Sequence, residues 1–171
     1  QQRLGMSFYQ PLAQKSGVLH CKLYHLDEPL PLSDVMPILE NLGLRVLGEF
    51  PFCFVRQDGR RFWIHDFEFT YAQEGGLDIQ EVNELFREAF IGVWSGQAEN
   101  DGFNRLVLLA SMPWRDVALL RAYARYLKQI RLGFELPYIA NTLASHSTIA
   151  HELVRLCKTR FYLARQRTGE A

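Results

Sequence analysis

The stretch Asp101–Phe134, DGFNRLVLLASMPWRDVALLRAYARYLKQIRLGF, limits what this chain can fold into more than any other. It reads as two helices broken at Ser111-Met112-Pro113, with Ser111 as N-cap and Pro113 in the first turn, where its missing N–H costs nothing. Gly133 supplies the left-handed position that stops the second helix. Along that helix Trp114, Val117, Leu120, Ala124 and Leu127 recur on one face. Leu119, Tyr123, Tyr126 and Ile130 recur on an adjacent one. An apolar surface that wide predicts burial against two neighbours, so this helix is expected to be central.

Upstream, the periodicity switches between two and 3.6. Met6–Tyr9 reads as a short strand ended by Pro11, and 14–17 as a loop. Residues 17–26 then form a strand in which Leu19, Cys21 and Leu23 alternate with His20, Lys22 and Tyr24. Pro29 and Pro31 stiffen the connection that follows. Ser33 caps a helix to Leu42 with Val35, Ile38, Leu39 and Leu42 inside; Pro37 falls in its first turn and Gly43 stops it. Leu44–Arg56 is a second strand, with Leu44, Val46, Phe50, Phe52 and Phe54 largely in phase and a bulge or edge position at Gly48–Pro51. Asp58-Gly59 turns it into Arg61–Tyr71, whose Trp63, His65, Phe67, Phe69 and Tyr71 share a face. After Gly75-Gly76, a capping box of Asp78 and Glu81 opens a helix lined by Val82, Leu85, Phe86, Ala89, Phe90 and Val93 and ended by Gly96.

Beyond a polar linker, 97–102, all is helical: the central pair, a short helix near Pro137–Ala144, and a last one capped by Ser147. That last helix carries Ile149, Leu153, Leu156, Phe161 and Leu163, and the end from Thr168 frays. The fold class expected is α+β: a ferredoxin-like βαββα unit followed by an all-helical segment. The divisions are 1–16, an extension with room for one edge strand; 17–96, the βαββα unit; and 97–171, the helical segment.

The net charge of zero conceals a split: residues 1–100 hold 8 Lys/Arg against 14 Asp/Glu, and residues 101–171 hold 11 against 5. Two units of different character are implied. Cys21, Cys53 and Cys157 are isolated thiols without CxxC spacing, which favours a reducing, cytoplasmic setting. No apolar run approaches the roughly 18 residues of a membrane span, and no signal peptide pattern opens the chain. The start at Gln1-Gln2 suggests a segment of something longer.

Candidate chemistry is sparse, and no residue is assigned a catalytic, cofactor-binding or metal-binding role. GxGxxG, GxxxxGK[ST] and HExxH are absent. His146 and His151 lie five apart, about 140° around a helix, which is poor for a shared metal. His65 and Asp66 are adjacent on a strand and point to opposite faces, so they cannot form a local acid–base dyad. Cys21 is expected in the core. Arg121, Arg125 and Lys128 recur as a helical stripe with Arg115 and Arg131 nearby, the charge pattern of a phosphate-binding face. The tyrosines among them fall on the apolar stripe, and the neutral total charge disfavours nucleic acid as a partner.

Three stretches carry a family resemblance: PLPLSDVMPILENLGLRVLGEFPF at 29–52, WIHDFEFTY at 63–71 and DGFNRLVLLASMPWRDVALLRAYARYLKQ at 101–129. They closely resemble the large bacterial NAD-specific glutamate dehydrogenases, over nearly the whole chain. The resemblance implies a place upstream of the catalytic domain, in an N-terminal region of ACT-like modules followed by helical segments. It implies a parent enzyme that oxidises L-glutamate to 2-oxoglutarate and ammonia with NAD, as a large cytoplasmic homo-oligomer. The 171 residues contain no dinucleotide fingerprint, so NAD belongs to the parent and no cofactor to this segment. Partners implied are other domains of the same chain, sister subunits and an amino-acid effector, with no membrane. Amino-acid-binding ACT modules often carry glycine in the loop after the first strand; here that loop is Asp27-Glu28-Pro29-Leu30-Pro31. An ACT fold serving assembly is therefore preferred, with an autonomous amino-acid sensor or a nucleic-acid-binding helical module as alternatives. The two halves are expected to form one body, its spine Trp114–Ile130 covered on one side by Phe50, Phe52, Phe54, Trp63, Phe67 and Phe69.

Overall fold

The structure, a computed structural model, describes residues 4–9, 11, 18–71 and 79–168, with side chains except at 79–82 and 162–168. Strands β1 (Gly5–Tyr9), β2 (Val18–Leu26), β3 (Leu44–Val55) and β4 (Arg61–Tyr71) form one antiparallel sheet in the order β1-β2-β4-β3. Helix α1 (Leu32–Asn41) joins β2 to β3, and α2 (Ile79–Trp94) follows β4. The rest is helical: a 3-10 turn (Gly102–Arg105), α3 (Leu106–Leu109), α4 (Trp114–Gln129), α5 (Leu136–Ser145) and α6 (Ser147–Thr168). The loop at 14–17, Gly75-Gly76, the Asp78–Glu81 capping box, the side chains of Val82 and Leu163, and the end from 169 lie outside the described residues.

The βαββα order from β2 to α2 is the ferredoxin-like pattern, and β1 completes it from the N-terminal side. In a ferredoxin-like unit a strand after the second helix returns to pair with the first strand. Here the chain leaves α2 for the helical segment, and β1 takes that edge from the N-terminal side, pairing with β2 from Gly5↔Tyr24 to Tyr9↔His20. Phe8 on β1 fixes the arrangement, its ring 5.2 Å from Phe69 and 4.9 Å from Phe86 of α2.

One face of the sheet is apolar and carries the helices. Leu19, Cys21, Leu23, Phe67 and Phe69 are buried there under Val35, Ile38 and Leu39 of α1 and Phe86, Ala89 and Phe90 of α2. The alternation predicted for β2 and β4 is the one observed. In β3 the phase breaks: a register shift between Val46 and Gly48 leaves Leu47 as the extra residue. Val46 opposes Phe69 on the helix side, whereas Phe50, Phe52 and Phe54 oppose Asp66, Ile64 and Phe62 on the other. The five residues predicted in phase are thus split between two faces, because one inserted residue reverses every side chain after it.

Several helix ends differ from expectation. α1 begins at Leu32 after Pro31; Ser33 makes no capping bond and bonds Asp34 instead. Pro37 therefore sits in the second turn, where it forfeits the bond to the Ser33 carbonyl. Ser111 does not open α4: at φ 46° it closes α3, and Met112 N–H donates to Val107 O at 3.1 Å. Pro113 takes the N-cap position. α4 is stopped by Arg131, at φ 60°, with Leu132 N–H on Leu127 O and Arg131 N–H on Lys128 O, ahead of Gly133. Gly43 and Gly96 end α1 and α2 as predicted. α6 starts at Ser147 itself, directly after His146.

The helical segment packs on the far side of α1 and α2, so these two helices lie between it and the sheet. A single apolar core runs through both halves, from Leu19 to Val154. Trp114 lies so close to α2 that a Cβ at Gly92 would meet its ring at 3.4 Å. Only one of the two predicted apolar faces of α4 is covered. Val117, Leu120 and Ala124 are buried, but Tyr123, Tyr126 and Ile130 are exposed. The proposed aromatic cover does not exist: α2 intervenes between α4 and the sheet, and Phe50, Phe52 and Phe54 are about half exposed at 49%, 49% and 55%. α6 likewise buries Ala150 and Val154 and leaves Ile149, Leu153, Leu156 and Phe161 outside.

Candidate functional site

The loop after β2 is held by its own chain. Asp27, at φ 73°, donates its N–H to Arg61 O at 2.8 Å and accepts two bonds from the Arg60 guanidinium at 2.8 and 3.1 Å. That hydrogen-bonded arginine holds the Asp27 carboxyl below the usual carboxylate range. His25 Nδ1 lies 2.7 Å from the Glu28 carbonyl. The Leu30 N–H donates to His65 Nε2 at 3.1 Å, and His65 Nδ1 lies 2.8 Å from Glu49 Oε1. Since Nε2 accepts, the proton of the neutral ring is on Nδ1 and faces the carboxylate. The backbone donor that a ligand would need here is thus spent on a buried histidine.

On the helix-free face, His20, Asp66, Tyr9 and Lys22 come together from three strands. Tyr9 donates to Asp66 Oδ2 at 2.6 Å, His20 Nδ1 is 3.2 Å from Asp66 Oδ1, and Lys22 Nζ lies 3.9 Å from Oδ2. Burial and the Asp66 hydrogen bond push the Tyr9 hydroxyl above the usual tyrosine range. His65 and Asp66 do point apart, as the strand period requires: His65 meets Glu49 on β3 and the Leu30 N–H of the loop, and Asp66 meets side chains of β1 and β2. Asp66 thus ties β4 to β1 and β2, a strut across the sheet. Cys21 is buried on the other face, its thiol pushed up by desolvation, which makes it the inert core residue expected.

The basic stripe of α4 is consumed within the chain. Arg121 is buried at 3% exposure and binds Asp101 through two bonds, 2.7 and 2.8 Å, and Asn104 Oδ1 at 2.7 Å. Arg125 pairs with Glu99, and Lys128 with Glu135 at 2.7 Å. Arg115 stacks on Trp114, 4.5 Å from the ring. Arg121 is therefore an internal clamp that, with Arg125 at the surface, grips the 97–102 stretch that reads as a linker, while Lys128 pairs with Glu135 outside that stretch. No His, Cys, Asp or Glu group suited to a metal occurs among the described residues. His146 occupies the α5–α6 junction, and His151 faces Glu152 at 3.8 Å.

The clusters around His65 and Asp66 have no signal in local spacing, since Glu49, Leu30, Tyr9 and His20 reach them only through strand register. The Arg121 pair has a partial one: a lone arginine on the buried face of a helix requires a carboxylate. No helix among the described residues is long and apolar enough to cross a membrane.

Comparison with known proteins adds to this geometry. Residues 3–82 match the family model described as glutamate dehydrogenase, ACT3 domain, and residues 98–163 match glutamate dehydrogenase, helical motif 3. The chain is 69% identical over 170 residues to the NAD-specific glutamate dehydrogenase of Pseudomonas aeruginosa, covering 99% of this chain and 10% of that protein. It is 48% identical over 167 residues to the one from Halomonas elongata, covering 98% and 10%. For Mycobacterium tuberculosis the figures are 36% over 135 residues, 76% and 8%. The chain thus spans about a tenth of the length of these relatives.

Proposed function

This chain belongs to the NAD-specific glutamate dehydrogenases, carrying their ACT3 domain and helical motif 3, and on that premise we propose that it is a non-catalytic segment serving assembly and regulation of a longer enzyme. The parent enzyme would convert L-glutamate and NAD to 2-oxoglutarate and ammonia in the cytoplasm, with chemistry and NAD binding located elsewhere in the polypeptide. The division near residue 97 into sheet unit and helical segment is part of this proposal. The partners it assigns are other domains of the same polypeptide and sister subunits.

The observation that carries the assembly role is uncovered apolar surface. Phe50, Phe52 and Phe54 project from the helix-free face, and Ile149, Leu153, Leu156 and Phe161 from the outer side of α6. Contiguous apolar surface of this kind marks an interaction face. The self-occupied loop at 27–31 speaks against an ACT-type ligand site there, and the ion-paired stripe on α4 speaks against nucleic acid. Calorimetric titration of NAD into the 171-residue chain tests the non-catalytic part, and micromolar binding would overturn it. Replacing Phe50, Phe52 and Phe54 with serine in the full-length enzyme tests the assembly part by sedimentation velocity. The oligomer should loosen; an unchanged sedimentation profile refutes the role of this face.

A further inference from the structure

Past its bulge, β3 presents a run of residues that is matched to itself. Every second residue points to the helix-free face, so that face reads Gly48, Phe50, Phe52 and Phe54, and the same period carries it to Arg56. Glu68 of β4 stands opposite Gly48, where a Cβ would lie 4.0 Å from the Glu68 carboxylate oxygen and 3.7 Å from the Phe50 ring. Phe62 and Ile64 of β4 and Tyr24 of β2 continue the apolar surface, with Tyr24 stacked on Phe62 at 6.1 Å between ring centres. Tyr9, His20 and Lys22 belong to β1 and β2, and β4 separates them from β3.

Phe52 is the midpoint of this run. The cation Arg56 and the Gly48–Glu68 pair lie equally far from it, on opposite sides. Two sheets pack face to face about 10 Å apart, with strands within about 30° of each other. A two-fold axis running across the strands at Phe52 reverses the strand direction of the second sheet. It sets Phe52 on Phe52 and Phe50 on Phe54. It also sets Arg56 over Gly48, where no side chain blocks it, and beside the Glu68 carboxylate. The ion pair of Arg56 with Asp58 is long, 3.6 Å, and exposed, so little is lost when the guanidinium turns to a second acid. A patch whose acid and base exchange places under a two-fold rotation is what an isologous interface requires.

We propose that the helix-free face of β3 and β4 docks on the same face of a second copy of this chain, about a two-fold axis through Phe52, with Arg56 of each copy on Glu68 of the other. The proposal rests on the assembly role given to this face and names its occupant. The phenylalanines supply the apolar burial, and the two charge pairs at the rim fix the register and the antiparallel direction.

The test is the association of the 171-residue chain in sedimentation equilibrium. The parent chain should dimerise, and Phe52→Glu should be monomeric. Arg56→Glu should weaken the dimer at least about tenfold, and adding Glu68→Arg should restore it, because reversing both charges recreates the pair. Position is checked in a Cys53→Ser, Cys157→Ser background. There Phe52→Cys should be joined to its twin by a short bismaleimide, which spans facing sheets. Val55→Cys, exposed on the opposite side of the same strand, should not be joined. A parent chain still monomeric at about 1 mM refutes the docking. So does a charge reversal without rescue, or a Phe52→Cys chain that crosslinks no faster than Val55→Cys. If the chain is monomeric while replacing Phe50, Phe52 and Phe54 still loosens the full-length enzyme, the assembly role stands and the second copy is refuted as occupant.

Discussion

Arg121 is the residue on which the helical half most depends. Its guanidinium is buried and bound by Asp101, which also accepts the Phe103 N–H and so caps the 3-10 turn. Asp101→Ala strands a buried charge on one remaining acceptor, Asn104, and should cost about 3 kcal/mol in urea unfolding. Tyr71 allows a pH prediction. Burial raises it from 10.0 to about 12, so the folded state holds the proton that the unfolded chain loses first. Its contribution is intact below pH 10.0 and is lost as the pH climbs through about 12, to be followed by tyrosinate absorbance alongside unfolding. Asp27 behaves oppositely. Its depressed carboxyl favours the folded state above the usual carboxylate range, and this is lost as the pH falls through the depressed value. Arg60→Ala should return the Asp27 titration, read by NMR, to the ordinary value.

Among the elements, α4 departs most from what its own residues announce. The two apolar stripes of α4 look equivalent along the chain, yet only the Val117–Leu120–Ala124 stripe meets α2 and its neighbours. Leu120→Ala should therefore cost about 2–5 kcal/mol, the range for a buried leucine. Tyr126→Ala should lie within about 0.5 kcal/mol of the parent in the isolated chain. Equal losses in the two variants would mean that the outer face is covered after all. β1 is five residues long and still closes the sheet, since it shields the β2 edge and sets Phe8 between Phe69 and Phe86. Phe8→Ala should lower stability by about 2–3 kcal/mol, below the full cost for a buried phenylalanine because the ring is only half-buried. A melt unchanged from the parent would show that the edge strand is dispensable.

At the scale of the molecule, the sheet, the α1–α2 layer and the helical segment share one core, and the stretch 97–102 ties them. Asn41 bonds Asn100 at 3.0 Å, Ala98 N–H donates to Gly92 O at 2.9 Å, and Glu99 and Asp101 hold Arg125 and Arg121. Among the ion pairs named above, only Glu99–Arg125 joins the acidic residues 1–100 to the basic residues 101–171, and both side chains are half exposed, so opposite charge is minor beside the shared apolar core. Limited proteolysis should leave 97–102 uncut in the folded chain, and unfolding should be a single transition by circular dichroism and fluorescence. Two independently folded fragments released by cleavage there would contradict the shared core.

By itself the sequence determined which segments are strands and helices, because periods of two and 3.6 are properties of the local chain. It determined the βαββα order, the Gly43 and Gly96 stops, and which residues of β2 and β4 face the helices. The stretches at 29–52, 63–71 and 101–129 were enough to point to the family. Only the tertiary structure decided which apolar stripe of α4 is buried, since burial depends on what another element covers. It alone placed Leu47 as the bulge that turns Phe50, Phe52 and Phe54 outward. It alone showed Arg121 and Arg125 of the basic stripe holding the polar linker, and Lys128 paired with Glu135. Register and long-range contact bring such groups together across up to 59 residues of chain, as with Asn41 and Asn100, and no local pattern encodes that distance.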